Sequence, residues 1–177
     1  MFFHVRSKSV TLFFGILFTI STIVLNLPAL VNAESKSQPL IHYIKPLSVI
    51  CTRAIDGDTI IVNIAGVKER VRLIGVDTPE TKHPRKPVQY FGKEASMFTA
   101  NMVEGKKVRL EFDQNQRDRY KRLLAYVYLE DGTFLNAEII KQGYGHAYTK
   151  FPFKYMHEFR QNEREARIRK KGLWSNR

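Results

Sequence analysis

The chain has 177 residues, with 29 Lys and Arg against 17 Asp and Glu, and a net charge of +12. This length suits one domain with a short appendage, and the positive charge favours polyanionic partners such as nucleic acid or an anionic bilayer. The basic residues are interspersed with 8 Tyr and 12 Phe, which argues against a disordered basic tail and predicts a folded core.

The first 33 residues predict an export signal. Arg6 and Lys8 precede a long apolar run, and short side chains at residues 31–33 stand where a signal peptidase would cut. The alternative is an uncleaved membrane anchor, because residues 10–27 have about the length that spans a bilayer. We therefore expect a cleavable signal on a secreted or periplasmic protein, followed by a flexible lead-in at residues 34–46 and a folded domain at residues 47–177.

Cys51 is the only cysteine, so no intramolecular disulfide can form even though the chain carries an export signal. Its position between Ile50 and Thr52 is typical of a small buried strand residue. Stability must therefore come from packing.

Five strands and three helices are predicted after residue 47. Runs of β-branched and aromatic residues predict strands at 48–54, 59–64, 69–76, 106–112 and 123–129. The pairs Ala65-Gly66 and Asp131-Gly132 predict turns.

The predicted helices are marked by periodicity and by terminal glycines. An apolar stripe predicts the first helix, which Gly105 closes; its members are Phe91, Ala95, Phe98 and Met102. The second begins at residue 135 and ends at Gly143, and the third begins at residue 156 and ends at Gly172. This order predicts an α+β protein with an OB-fold, a five-stranded β-barrel that carries three α-helices.

Acidic residues flank two neighbouring predicted strands. DGDT, residues 56–59, leads into the second strand, and DTPE, residues 77–80, follows the third. Because the start of one hairpin strand lies beside the end of the next, we expect Asp58 and Asp77 to be neighbours. Two close carboxylates repel each other unless one is protonated or a cation lies between them, and hard oxygen ligands suit Ca²⁺. The alternative is that both motifs only form turns and caps.

A further carboxylate and several arginines accompany these motifs. Glu80 could orient or deprotonate a water molecule beside a metal, and Arg72 needs a partner because its strand neighbours are apolar. The polar segment before the fifth strand adds Arg117, Arg119 and Arg122. Two arginines from different strands could clamp one phosphate, which favours phosphoryl transfer. A surface glutamate, a structural ion pair and solvated arginines are the alternatives.

Six segments in this order resemble the staphylococcal nuclease family, the thermonucleases. They lie between residues 48 and 175 and read DGDT, RLIGVDTPETKHP, YFGKEASMFT, RYKRLLAYVY, LNAEIIKQGY and KKGLW. The resemblance implies an OB-fold barrel with three helices and Ca²⁺-dependent cleavage of phosphodiester bonds in DNA and RNA.

The resemblance also implies roles for individual residues. The metal ligands would be Asp58, Asp77 and the Thr78 carbonyl. The catalytic residues would be Glu80, acting on the attacking water, with Arg72 and Arg122 on the phosphate.

The resemblance implies contacts with a nucleotide phosphate for Arg119 and Tyr120. It places Tyr148 in the nucleotide pocket, where its ring could stack on a base with little sequence preference. Two positions depart from the family pattern: Lys121 replaces a glycine, and Lys150 replaces a second pocket tyrosine. These changes affect the nucleotide pocket and leave the metal and catalytic positions intact.

The expected partners are DNA and RNA as substrates, preferentially where they are single-stranded or frayed, with no stable protein partner. One alternative is a non-catalytic OB module that only binds nucleic acid. Acidic residues in a binding groove argue against it, because they would repel the ligand. Another alternative makes the basic helix at residues 156–171 a membrane-surface element, but its interleaved acidic and basic residues are typical of a solvated helix face.

Overall fold

The computed structural model describes residues 45–81 and 87–175. The predicted export signal and nearly all of the predicted lead-in lie outside these residues. In chain order the described elements are β1 (Leu47–Ala54), β2 (Thr59–Ile64), β3 (Val67–Leu73), β4 (Val76–Asp77), α1 (Gly92–Val103), β5 (Lys107–Arg117), β6 (Leu123–Leu129), α2 (Leu135–Lys141), β7 (His146–Ala147), α3 (Met156–Ile168) and a 3₁₀ helix (Gly172–Trp174). Within the described residues, no helix is long and apolar enough to cross a membrane.

Five strands close into a barrel in the order β1-β2-β3-β6-β5, which confirms the predicted OB-fold with three α-helices. The pairings are antiparallel except between β3 and β6, where Arg72 lies opposite Leu124 in parallel register. On its other side Arg72 pairs with Thr59 at the start of β2. The start of β2 and the end of β3 therefore form one edge of the barrel.

The third predicted strand is broken, so the prediction of a continuous strand over residues 69–76 is wrong. β3 ends at Leu73, and β4 leaves the barrel to pair with β7 in a separate two-stranded sheet. Gly75 makes the break with a φ of +75°, and a Cβ atom there would come within 2.5 Å of the Phe153 ring. Only glycine suits both conditions, and the break directs Asp77 away from the barrel wall.

Three other element boundaries differ from the prediction. β5 continues to Arg117 rather than ending at residue 112, with an irregular register against β6 after Phe112. α3 ends at Ile168 rather than near Gly172, because Lys170 takes a φ of +49°. In α1 the fully buried positions include Ala95, Thr99 and Val103, whereas the predicted stripe members Phe98 and Met102 are only partly buried.

Aliphatic side chains from the strands fill the barrel interior, with α2 and α3 packed over it. The fully buried residues of this core include Ile60, Val62, Val71 and Leu110 from the strands, and Ile139 and Phe159 from the two helices. Cys51 is fully buried, as predicted, and burial raises the pKa of its thiol to about 11. One buried polar side chain joins α2 to the break after β3: Asn136 accepts from the Val127 N–H and donates to the Ile74 and Ala125 carbonyls. The break that positions Asp77 is thus tied to the core.

Candidate active site

Arg72 joins the two acidic motifs at the edge of the barrel. Its Nη1 lies 3.1 Å from Asp58 Oδ1, and its Nη2 lies 3.3 Å from Asp77 Oδ1. The guanidinium also donates to the Val76 and Leu73 carbonyls, at 2.6 and 3.3 Å. One arginine therefore contacts both carboxylates and is held in place by main-chain acceptors.

Asp58 is fixed by its surroundings. Its Oδ2 accepts from the Thr78 N–H at 2.8 Å and from the Thr78 hydroxyl at 3.1 Å, while its Oδ1 accepts from the Thr59 hydroxyl at 3.0 Å. Gly57 lies so close to Thr78 that a Cβ atom there would stand 2.7 Å from its side chain. The DGDT and DTPE segments therefore pack directly against each other.

Negative charge is in excess around Arg72. Partial burial and the charge of Asp58 together raise the pKa of Asp77, with a further contribution from Glu80, and they outweigh the lowering effect of Arg72. Burial and the Asp58 charge also raise the pKa of Asp56 to about 6. Such an arrangement favours a bound cation.

The oxygen donors present fit a hard divalent cation: the carboxylates of Asp58 and Asp77 and the main-chain carbonyl of Thr78. Among residues 45–81 and 87–175, no three His, Cys, Asp or Glu side chains form a cluster that could hold an ion. Carbonyl oxygens and water would therefore have to complete the coordination.

Glu80 lies in the loop after β4, partly buried and close enough to Asp77 to affect its pKa. The loop is closed by Gln89, whose side chain accepts from the Glu80 N–H at 2.8 Å and whose N–H donates to the Glu80 carbonyl at 3.0 Å. This pairing sets the position of the Glu80 backbone beside the carboxylates.

Arg122 stands directly before β6 and is held by Asp118, a residue that the sequence analysis missed. Arg122 Nε lies 2.7 Å from Asp118 Oδ2, and its N–H donates to Asp118 Oδ1 at 3.0 Å. Asp118 Oδ1 also accepts from the Tyr120 N–H, so it forms the turn as well. The local signal was an aspartate four residues before an arginine across a polar turn.

The other two arginines of this segment have different surroundings. Arg117 pairs with Glu69 of β3 through two hydrogen bonds of 3.0 and 2.9 Å. Arg119 donates to the Tyr120 hydroxyl at 2.6 Å and lies 4.7 Å above its ring. Only the partner of Arg117 is distant in the sequence, whereas the partners of Arg119 and Arg122 lie within the same segment.

Arg72, Asp77 and Arg122 line one groove of about 1120 Å³. Its walls include Arg119, Tyr120, Tyr148 and Lys150, so it brings together most of the residues singled out in the sequence. The residues Tyr120 and Tyr148 are 64% and 38% exposed, so both are accessible to a ligand. Lys121 takes a φ of +63°, a conformation that favours glycine. The groove thus combines cations, aromatic faces and an acidic edge.

Several known proteins with similar sequences are nucleases. The family model described as staphylococcal nuclease homologue matches residues 70–176. The thermonuclease of Staphylococcus hyicus is 48% identical over 125 residues, which cover 70% of this chain and 73% of that protein. The thermonuclease of Staphylococcus intermedius is 40% identical over 161 residues, which cover 90% of this chain and 95% of that protein. Endonuclease YncB of Bacillus subtilis is 46% identical over 134 residues, which cover 74% of this chain and 63% of that protein.

These matches extend over most of the chain. The family model begins at residue 70, so it includes Arg72, Asp77 and the groove but not Asp58. They favour an enzyme over a module that only binds nucleic acid. The chain belongs to the staphylococcal nuclease family and is a nuclease that acts on nucleic acids.

Proposed function

We propose that this nuclease depends on calcium and hydrolyses phosphodiester bonds of DNA and RNA, internally and from ends, with low sequence specificity. The observation that carries the proposal is the shared guanidinium: Arg72 contacts Asp58 and Asp77 in the wall of the groove that Arg122 also lines. A cation-binding edge and a phosphate-binding groove therefore meet at one residue.

Asp58, Asp77 and the Thr78 carbonyl would hold the ion, because hard oxygen donors at a partly exposed edge suit Ca²⁺. When bound, the ion supplies Lewis-acid polarisation of the phosphate and neutralises charge. The remaining chemistry is assigned to side chains of the chain itself.

Glu80 is the residue assigned to the attacking water. A carboxylate held beside Asp77 can orient a water molecule and accept its proton as the water attacks phosphorus. The hydrogen bonds between Gln89 and the Glu80 backbone support this role, since they limit the positions that the carboxylate can reach.

Arg72 and Arg122 are assigned to the charge that develops on the phosphate oxygens. Guanidinium groups form two parallel hydrogen bonds with phosphate, and donors held in place before the reaction stabilise its transition state most effectively. Both are held in place here: Arg72 by the Val76 and Leu73 carbonyls and Arg122 by Asp118.

Substrate binding is assigned to Arg119, Tyr120 and Tyr148. Aromatic rings stack on any base, so these contacts give affinity with little sequence preference, and they favour single-stranded or frayed regions whose bases are accessible. Lys121 and Lys150 add positive charge where the family pattern has uncharged residues, which strengthens phosphate contacts.

We also propose that the enzyme acts outside the cytoplasm, as a secreted or periplasmic protein released from a signal at residues 1–33. This proposal is supported by the order of features in that segment: two basic residues, then a long apolar run, then short side chains at residues 31–33. Mass spectrometry of the exported protein should find a new N-terminus near residue 34. An N-terminus at residue 1 in a membrane fraction would instead favour the anchor.

The direct test is digestion by the purified chain from residue 34 to 177. Single-stranded DNA, duplex DNA and RNA are incubated with increasing calcium, with other divalent ions, or with chelator. We expect degradation of all three in calcium, fastest for single strands, and no degradation in chelator. Equal activity in chelator, or activity with magnesium but not calcium, would contradict the proposed cofactor.

A further inference from the structure

Phe151 is a large apolar side chain that the fold leaves in solvent. It is 62% exposed, whereas Phe153 packs against Phe159 with ring centroids 5.3 Å apart. Isolated exposed apolar residues are common on proteins. Phe151 differs from them in its location, because it lines the same groove as Arg72 and Arg122.

The segment that carries Phe151 is attached to the barrel at both ends. The Tyr148 N–H donates to the Gly75 carbonyl at 2.9 Å, and the Lys154 N–H donates to the Tyr126 hydroxyl at 3.2 Å. Pro152 restricts the chain between these attachments. The main chain around Phe151 is therefore held in place on both sides, and the Phe151 ring forms part of the groove wall.

Phe151 lies beside the tyrosine already assigned to a base. The ring centroids of Tyr148 and Phe151 are 6.3 Å apart, and their planes meet at 55°. Lys150 stands between them in sequence, with its Nζ 5.9 Å from the Phe151 ring centroid. Two aromatic faces and a cation thus share one side of the groove.

We propose that Phe151 is a second base-stacking residue, which takes the base adjacent to the one at Tyr148, and that the two rings select single-stranded DNA or RNA. This inference rests on the proposed function, which places the substrate in this groove. Base stacking on an aromatic ring requires only the π-face that every base has.

The angle between the rings is the physical reason for selecting single strands. Successive bases along one strand of a duplex are about 3.4 Å apart along the axis and stacked parallel. Bases that stack on Tyr148 and Phe151 are splayed by about 55°, the angle between the rings. A strand must therefore be unpaired and locally unstacked to occupy both rings, and Lys150 then lies beside the phosphate that links the two nucleotides.

Binding can be measured in chelator, where we expect no cleavage. The measurement is the fluorescence anisotropy of a labelled single-stranded oligothymidylate that is titrated with the purified protein. We expect Phe151→Ala to weaken binding roughly 5- to 150-fold, the range of one base–aromatic stack. Phe151→Trp and Phe151→Tyr should bind like wild type. The dependence of affinity on salt should be unchanged, because no charge is removed. Met97→Ala is the matched control, since Met97 is 64% exposed and does not line the groove.

Kinetics in calcium should locate the effect in substrate binding. For the single-stranded oligonucleotide, Phe151→Ala should raise KM by a similar factor and leave kcat within about twofold of wild type. A mononucleoside p-nitrophenyl phosphate ester has one base and should be cleaved equally well by both proteins. The preference of the variant for single-stranded over duplex DNA should fall.

Wild-type affinity of Phe151→Ala for the single strand would overturn the inference. An equal loss of activity by Phe151→Ala on the one-base ester would also overturn it, because Phe151 would then act on the base that stacks on Tyr148. If wild type cleaves in calcium and Phe151→Ala binds normally, only the stacking inference fails. If wild type does not cleave in calcium while Phe151→Ala loses affinity in chelator, the calcium mechanism fails and the stacking stands.

Discussion

Two charged clusters meet at the small β4–β7 sheet, and they differ in which group is shared. Around Arg72, one guanidinium is shared by Asp58 and Asp77. Around Glu163, one carboxylate is shared by His146 and Arg167, at 3.2 and 2.7 Å. Asp77 and His146 are direct partners in that sheet, so the clusters are neighbours.

The pKa values of the carboxylates follow this difference. Partial burial and the Asp58 charge raise the pKa of Asp77. Burial also acts to raise the pKa of Glu163, but hydrogen bonds from His146 and Arg167 lower it to about 2. The Glu163 carboxylate is matched by two side-chain partners within the protein, whereas around Arg72 two carboxylates share one guanidinium. We therefore expect the Glu163 cluster to contribute to stability, and the Arg72 cluster to bind the proposed cation.

The largest expected effect is on rate, from loss of the residues around the phosphate. Arg72→Ala, Arg122→Ala and Glu80→Ala should each lower kcat by about 10²- to 10³-fold or more, roughly 3–4 kcal/mol, because each removes a group that acts on the transition state. Initial rates on single-stranded DNA in calcium measure this. Arg109→Ala, an arginine that stacks on Tyr128 and does not line the groove, should keep the rate of wild type. A loss smaller than tenfold in any of the three variants would refute that residue's role.

The second effect is on stabilisation by calcium. At a calcium concentration 100 times its Kd, the free energy of unfolding of wild type should rise by about 2.7 kcal/mol. Asp77→Asn should lose most of this gain, because it removes one of the proposed calcium ligands. In chelator the variant should be at least as stable as wild type, because the folded protein disfavours the ionised form of the Asp77 carboxyl. Urea unfolding with and without calcium measures both. Glu163→Gln should keep the calcium gain; if it lost the gain too, the two clusters would not be independent.

The smallest effect concerns acid stability. Because the pKa of Glu163 is lowered in the folded protein, its contribution is fully present above about pH 4.5 and is lost as pH falls toward about 2. Glu163→Gln should therefore cost about 1 kcal/mol at neutral pH, a small value because both partners are partly exposed. The difference from wild type should shrink between pH 4.5 and 2 in urea unfolding followed by circular dichroism. A constant difference across this range would show that the charge of Glu163 is not the cause.

Local sequence patterns predicted the barrel and the core of the site. Alternation and turn residues marked five strands in an order that closes an OB barrel, and hairpin geometry placed Asp58 near Asp77. Arg72 was predicted to need a partner because of its apolar neighbours, with a phosphate as the favoured partner and a structural carboxylate as the alternative; in the structure it contacts two carboxylates. These inferences rest on the period of strands and turns, which constrains the backbone locally, and on hairpin pairing, which brings the ends of neighbouring strands together.

The remaining features depend on segments that are distant in the chain. At Gly75 the backbone lies directly against the Phe153 ring, so the break could not be inferred from its neighbours in sequence. The partner of Arg117 is Glu69 of β3, 48 residues away. The placement of Phe151 at the groove depends on both attachments of its segment to the barrel. The sequence alone therefore determined the family and the fold class, and it predicted that the two acidic motifs meet at one edge of the barrel. Tertiary structure decided which charged side chains form ion pairs across the fold and which side chains, such as Phe151, stay exposed, because burial and long-range pairing arise only when distant segments pack together.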